Sequence, residues 1–274
     1  MSGRSKSHKN IIYHNKKPKV EECTNVVKNK FILRKRDNIS SMFRILTVCT
    51  GNICRSPLAE AVLRQDLPSE YFSVSSAGIM AVPQGSVPEP QLRIAETVGV
   101  TDLVSHRARA LTPGKIGVSD LLLGLSRHHR KRIVRMDPQA VRRTFTLREF
   151  AHLAFTVTPA EVELHLAESK DPFTAGVEAV TRKRGMAGPP ASPEDFDVVD
   201  PFRQSRKIYI LSRDQLVPAA EIVGAYFNGI LDIFGTGDIA PHYLETTEPD
   251  LVSQGTPKVQ RLSQDENFRK HPRQ

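Results

Sequence analysis

Residues 48–57 read Val-Cys-Thr-Gly-Asn-Ile-Cys-Arg-Ser-Pro (VCTGNICRSP), placing two of the chain's three cysteines five positions apart. That spacing suits neither a zinc site, which needs a further Cys or His pair at a set distance, nor a redox C-x-x-C pair. The third cysteine, Cys23, stands alone. The flanks supply another reading. Residues 44–48 (RILTV) are β-branched and largely apolar, the pattern of a buried strand. Pro57 suits the first turn of a helix. Leu58, Ala61 and Val62 then recur at helical spacing, with Glu60 near the positive helix end. The stretch predicts strand, loop, helix.

A turn of this kind points backbone N–H groups inward, and the helix start adds partial positive charge, so the loop suits a tetrahedral oxyanion. Gly51 and Asn52 tolerate left-handed backbone. Arg55 can grip two phosphate oxygens with its fork. Cys49, at the loop's mouth, feels the N–H dipoles, Arg55 and the helix start, all of which favour a thiolate. A thiolate beneath a bound phosphate is a nucleophile aimed at phosphorus. Ser56 can donate to that sulfur and ease its departure in a second step. The expected phosphate-binding residues are therefore Thr50, Gly51, Asn52, Ile53, Cys54, Arg55 and Ser56. No metal or other cofactor is called for, because the loop amides and Arg55 carry the transition-state charge.

Working outward, residues 71–75 and 120–125 read as second and third strands, and 196–199 as a short fourth. Helices are expected over 91–98, 126–136 and 208–234. Strands alternating with helices predict an α/β fold, a doubly wound, mainly parallel four-stranded sheet with helices on both faces. Ligands in such sheets bind at the carboxyl ends of strands, where Cys49 lies. Residues 138–193 are read as a helical insertion within a domain spanning 42–234. Residues 1–41 and 235–274 are read as a basic, disordered leader and a disordered tail.

Composition narrows the class. An apolar fraction of 39% and a charged fraction of 25% fit a soluble globular chain. No unbroken apolar run approaches 18 residues, so no membrane span is expected. The basic N-terminus lacks the apolar core of a secretory signal. Few, unpaired cysteines point to a reducing compartment, hence a cytoplasmic protein. The net charge of +9 resides mainly in the leader, which holds 11 of the 39 basic side chains and 3 of the 30 acidic ones. That leader lacks interleaved aromatics and repeats, which argues against nucleic acid as a partner. It reads as a tail, or as an upstream extension preceding Met42.

Cys-Thr-Gly-Asn-Ile-Cys-Arg-Ser, with an apolar strand before it and Pro-Leu-Ala-Glu after it, resembles the low-molecular-weight protein tyrosine phosphatase family of bacterial type. The resemblance covers 43–135 and 196–234. It implies hydrolysis of phosphotyrosine in proteins through a phosphocysteine on Cys49. Ser76-Ala77-Gly78 matches the family's S-A-G turn, whose serine steadies the loop asparagine, here Asn52. Residues 105–109 (SHRAR) match its H-x-A-R stretch, implying that His106 buttresses the loop.

Ester cleavage also needs a proton donor. Asp137-Pro138 and Asp171-Pro172 read as helix boundaries. Asp200-Pro201 precedes the last long helix, where the family places its acid, so the resemblance makes Cys49, Arg55 and Asp200 the catalytic set. Pro201 and Phe202 support it, Phe202 as an aromatic wall.

The chain departs from the family pattern at three places. Arg203-Gln204 replaces a Gly-Gly, 79–86 contains no aromatic residue, and Ser126 stands where an aspartate is common. Related readings are a protein arginine phosphatase, which carries Thr where Ile53 stands, and an arsenate reductase, which needs cysteines downstream of Cys54. A non-catalytic phosphoprotein-binding module is the reading from another class. Cys54 reads either as space-filling or as a trap for oxidised Cys49. The insertion reads as a lid, a spacer or a partner surface.

Overall fold

The structure, a computed structural model, describes residues 42–169, 171–186, 190 and 192–234. The leader and tail expectations fall outside these residues. Four strands form one sheet: β1 (Phe43–Cys49), β2 (Phe72–Gly78), β3 (Leu121–Gly124) and β4 (Thr144–Thr146), in the order β2-β1-β3-β4. All pairings are parallel, with Cys49 opposite Gly78 and Val48 opposite Gly124. The helices are α1 (Arg55–Asp66), α2 (Glu89–Glu96), α3 (Pro113–Gly117), α4 (Arg127–Met136), α5 (Leu147–Ala154), α6 (Pro159–Ser169), α7 (Pro172–Lys183) and α8 (Arg206–Phe234).

The pleat sorts the apolar runs into two cores. Phe43, Ile45, Cys49, Leu121 and Leu123 join residues of α1, α2, α5, α7 and α8 on one face. Leu46, Val48 and Leu122 meet Ile116 of α3 and Ile133 of α4 on the other. A parallel strand buried on both faces reads as unbroken apolar sequence, which is why 121–123 is Leu-Leu-Leu. The chain leaves β1 toward β2 on one side and returns to β3 on the other. The crevice at that reversal opens at the carboxyl end of β1, and Cys49 is its last residue.

The fourth strand is not where the sequence pattern puts it. Residues 193–196 form a 3-10 turn capped by Ser192, whose side chain accepts from Glu194 N while Asp195 reaches back to the cap. Residues 197–200 follow without regular secondary structure, tied to the sheet through Val198 N, which donates to Leu125 O at 3.0 Å. The fourth strand is Thr144–Thr146, inside the span expected to be helical, and all three residues are buried. Its brevity hides it: three residues carry no usable periodicity.

The helical segment is also bolted to the core. Phe173 of α7 is fully buried, with its ring centroid 4.5 Å from Phe72 and 5.6 Å from Phe43. A Cβ on Gly176 would lie 2.4 Å from Ile230 Cδ1, so a larger residue there would force the Ile230 side chain to move. Tyr226 Oη closes that contact by donating to Gly176 O at 2.9 Å. Asp137 and Asp171 serve as N-caps, accepting from Gln139 N and Thr174 N. By length and composition α8 could cross a membrane. Here half of its most apolar window is buried, and Leu216, Val223, Phe227 and Leu231 belong to the core.

Candidate active site

Five residues, 50–54, join the end of β1 to the start of α1. Segment 79–82 continues the pairing of β2 along this loop: Ile79 N donates to Cys49 O, Met80 N to Thr50 O and Val82 N to Gly51 O. At Gly78 the backbones nearly touch, since a Cβ there would lie 2.6 Å from Thr50 O. Only glycine fits, which accounts for the S-A-G sequence.

Asn52 is the hub. Its backbone is left-handed, with φ at 55°, and it is fully buried. Its Nδ2 donates to Ser56 Oγ at 2.9 Å and to Ser76 Oγ at 2.8 Å. Its Oδ1 accepts from Arg109 N at 2.7 Å. His106 Nε2 lies 2.8 Å from Asn52 O. A carbonyl can only accept, so this nitrogen carries the proton. Burial holds the His106 pKa below the ordinary histidine value, although the Asn52 carbonyl opposes the shift. Arg109 also donates to Ser76 Oγ and to Glu60 Oε2, and buried Glu60 pairs with Arg64 as well. The loop is thus held from α1, β2 and the 106–109 segment at once.

Cys49 Sγ lies 2.9 Å from Ser56 Oγ and receives Asn52 N–H at 3.3 Å. Both groups can donate to a sulfur anion. Arg55 is 5% exposed. Its Nη1 donates to Val198 O at 3.1 Å and its Nη2 to Asp200 Oδ2 at 2.6 Å, while Nε is a buried donor without an acceptor among the described residues. The segment bearing Asp200 is itself anchored from α8: Gln215 Oε1 accepts from Val199 N, and Ser212 Oγ donates to Val199 O. Pro201 is buried, and Phe202 stands at the rim, 39% exposed.

Cys54 is buried, and burial first, then the neighbouring Cys49, pushes its thiol up to about 12. A thiol of that kind is a poor nucleophile at neutral pH, which favours the space-filling reading.

One residue escaped the sequence reading. His129 of α4 is 2% exposed, with Nε2 3.0 Å from Thr50 Oγ1 and Nδ1 2.8 Å from Ser126 Oγ. Burial, with Arg55 and His128 adding repulsion, lowers its pKa to about 3. A neutral ring donates through one nitrogen and accepts through the other, so Ser126, His129 and Thr50 form one directed chain from the end of β3 to the loop. The signal in the sequence was Ser126 in place of an acidic residue three positions before His129.

The assembled site is a cysteine thiol, a tight loop leading into a helix start and a carboxyl group at one strand end. A sequence profile described as "low molecular weight phosphotyrosine protein phosphatase" matches residues 44–183. The chain is similar to the low molecular weight protein-tyrosine-phosphatase Ptp of Acinetobacter johnsonii, at 38% identity over 38% of this chain and 70% of the relative. It is also similar to a protein-arginine-phosphatase of Geobacillus stearothermophilus, at 35% identity over 39% of this chain and 71% of the relative. A solved structure, the YwlE arginine phosphatase from Geobacillus stearothermophilus, aligns over 69% of this chain and 95% of its own, at 25% identity and a TM-score of 0.49. With the profile spanning half of its length, the chain belongs to the low molecular weight phosphotyrosine protein phosphatase family.

Proposed function

We propose that this protein hydrolyses phosphotyrosine in protein substrates, with Cys49 as nucleophile and Asp200 as general acid and base. The observation that carries this reading is one cluster: Cys49 Sγ within reach of Ser56 and Asn52, and Arg55 bridging to Asp200. The Cys49 sulfur attacks phosphorus with an electron pair while the bond to the phenolic oxygen breaks. The Asp200 carboxyl gives that oxygen its proton. Water then attacks the phosphocysteine, Asp200 takes a water proton, and the phosphorus–sulfur bond breaks to release phosphate and the Cys49 thiolate. Loop amides and the Arg55 fork hold the charge on the equatorial oxygens. Ser56 stabilises the departing sulfur, while Ser76, His106 and Arg109 hold Asn52 in place.

Phosphoarginine is the second reading, motivated by the arginine-phosphatase relative. Ile53 favours the first, because an aliphatic side chain suits a phenyl ring better than a guanidino group. Two free thiols, Cys49 and Cys54, fit a reducing compartment, and we place the reaction in the cytoplasm. The test is turnover of phosphotyrosine and phosphoarginine peptides by the full chain, with acid quenching to trap phosphocysteine. Phosphate release from phosphotyrosine that disappears in Cys49→Ser is expected. Release that survives Cys49→Ser refutes the mechanism, and faster release from phosphoarginine refutes the substrate.

A further inference from the structure

The turn after Asp200 and the helix start that follows it each break a local rule. Gln204 N donates to Pro201 O at 2.9 Å, closing a turn over 201–204. Its third residue, Arg203, has φ at 58°. Glycine is the residue that takes this conformation without strain, and a side chain there costs about 1–2 kcal/mol. The α8 helix then begins Arg206-Lys207 and has no acidic residue in its first turn. A helix start favours acids and disfavours cations. Local stability would be better served by glycine at 203 and carboxylates at 206 and 207.

Arg203, Arg206 and Lys207 are all exposed, and among the described residues none of them pairs with a carboxylate. Asp200, the acid beside them, is held by Arg55. Arg203 instead lies over the Phe202 ring, with Cζ 5.1 Å from its centroid. The segment stitched to the phosphate loop from the β2 side is different. Residues 79–86 carry no charge and expose Met80 (74%) and Val82 (42%). Strain kept at a site, with charges set against a helix start, points to a function for those charges.

Resting on the phosphatase reading, we infer that Arg203, Arg206 and Lys207 form a docking rim for a protein substrate. The rim recognises acidic side chains next to the phosphorylated residue. The phosphoryl group enters the loop, the aromatic ring lies against Phe202, and a neighbouring Asp or Glu meets the three cations. The uncharged 79–86 side takes the apolar part of the same peptide, which gives the bound chain one direction.

The test uses the full chain and three substrates: p-nitrophenyl phosphate, a phosphotyrosine peptide flanked by Asp and Glu, and the same peptide flanked by Lys. The small ester has no flanking residue and is the reference to which each kcat/KM is divided. The acidic peptide is expected to exceed the basic one by about three- to tenfold, the size two or three exposed ion pairs provide. Raising ionic strength should shrink the ratio. Arg203→Gly removes one charge and relieves the left-handed strain, so it should fold and lower the ratio. Arg206→Glu with Lys207→Glu should reverse it. Equal turnover of both peptides, or a ratio unmoved by these variants, overturns the rim. If not even the small ester is hydrolysed, the phosphatase reading falls separately. The rim is then judged by the dissociation constants of the two peptides, and equal values overturn it.

Discussion

Arg55 Nη2 donates to Asp200 Oδ2 at 2.6 Å, so the side chain that would hold the phosphate and the one that would move the proton are each other's partner. Arg55 is almost entirely buried, whereas the Asp200 side chain is 52% exposed. The carboxylate can therefore swing outward while the guanidinium stays. An incoming phosphate dianion competes for the same fork and offers it two oxygens in place of one. On the proposed mechanism, substrate entry would free Asp200 to face the leaving group.

The first prediction separates those two roles. Asp200→Ala should lower kcat for an aryl phosphate by about 10²–10⁴. The same change removes the competitor for Arg55, so inorganic phosphate should bind more tightly, read as a lower inhibition constant. A variant that loses rate and phosphate affinity together would mean that Asp200 only shapes the loop.

Asn52 provides a stability test that separates backbone from side chain. Asn52→Ala places an ordinary residue at φ 55° and leaves Arg109 N without its acceptor, while Ser76 Oγ keeps Arg109 Nη2. A left-handed residue costs about 1–2 kcal/mol, and an orphaned buried group about 1–3 kcal/mol. Urea unfolding should show a total loss of about 2–5 kcal/mol. Asn52→Gly should recover the backbone part alone. Equal losses in the two variants would show that the left-handed geometry contributes nothing.

The conformation of the loop was legible because several residues of 48–57 answer to a chemical demand that can be read without neighbours. The left-handed Asn52, the forked Arg55 and the hydroxyl of Ser56 each follow from residue type and spacing. Thr144–Thr146 was not legible, because its burial comes from β3 on one side and from the helices packed above and below. Phe173 carries no mark in sequence that it joins a ring cluster with Phe43 and Phe227, far away along the chain. His129 lies in a run of Arg and Lys that reads as a solvated helix face, and its contact with Thr50 spans 79 positions. Val198 acts through its carbonyl on Arg55, a contact any residue could make.

The placement of Phe173 leads to a prediction about the segment expected from sequence to be a helical insertion. If α7 were a detachable lid, truncating this ring would leave stability almost unchanged. Its burial against Phe72 and Phe43 instead predicts that Phe173→Ala costs about 3–5 kcal/mol. Exposed Leu164 on the neighbouring α6 is the control, and Leu164→Ala should fall within about 0.5 kcal/mol of the parent. Denaturant midpoints at constant m-value decide between the two pictures.

His129 makes the fold sensitive to mild acid, and the sign follows from its lowered pKa. Its value is about 3 in the folded chain and about 6.5 when unfolded, so the unfolded chain binds the extra proton between these limits. The stability it confers is complete above about pH 6.5 and is lost as pH falls from there toward 3. At pH 5 the loss amounts to about 2 kcal/mol. Protonation also leaves the ring with two donors, so neither Ser126 nor Thr50 can donate to it, and the directed chain to the loop is broken. His129→Gln keeps a donor and an acceptor but does not titrate. Unfolding free energies at pH 7.5 and pH 5 should therefore differ by about 2 kcal/mol less in His129→Gln than in the parent. Carboxylates elsewhere titrate alike in both proteins and cancel in that difference. An identical pH slope in parent and variant would place the histidine outside the acid response.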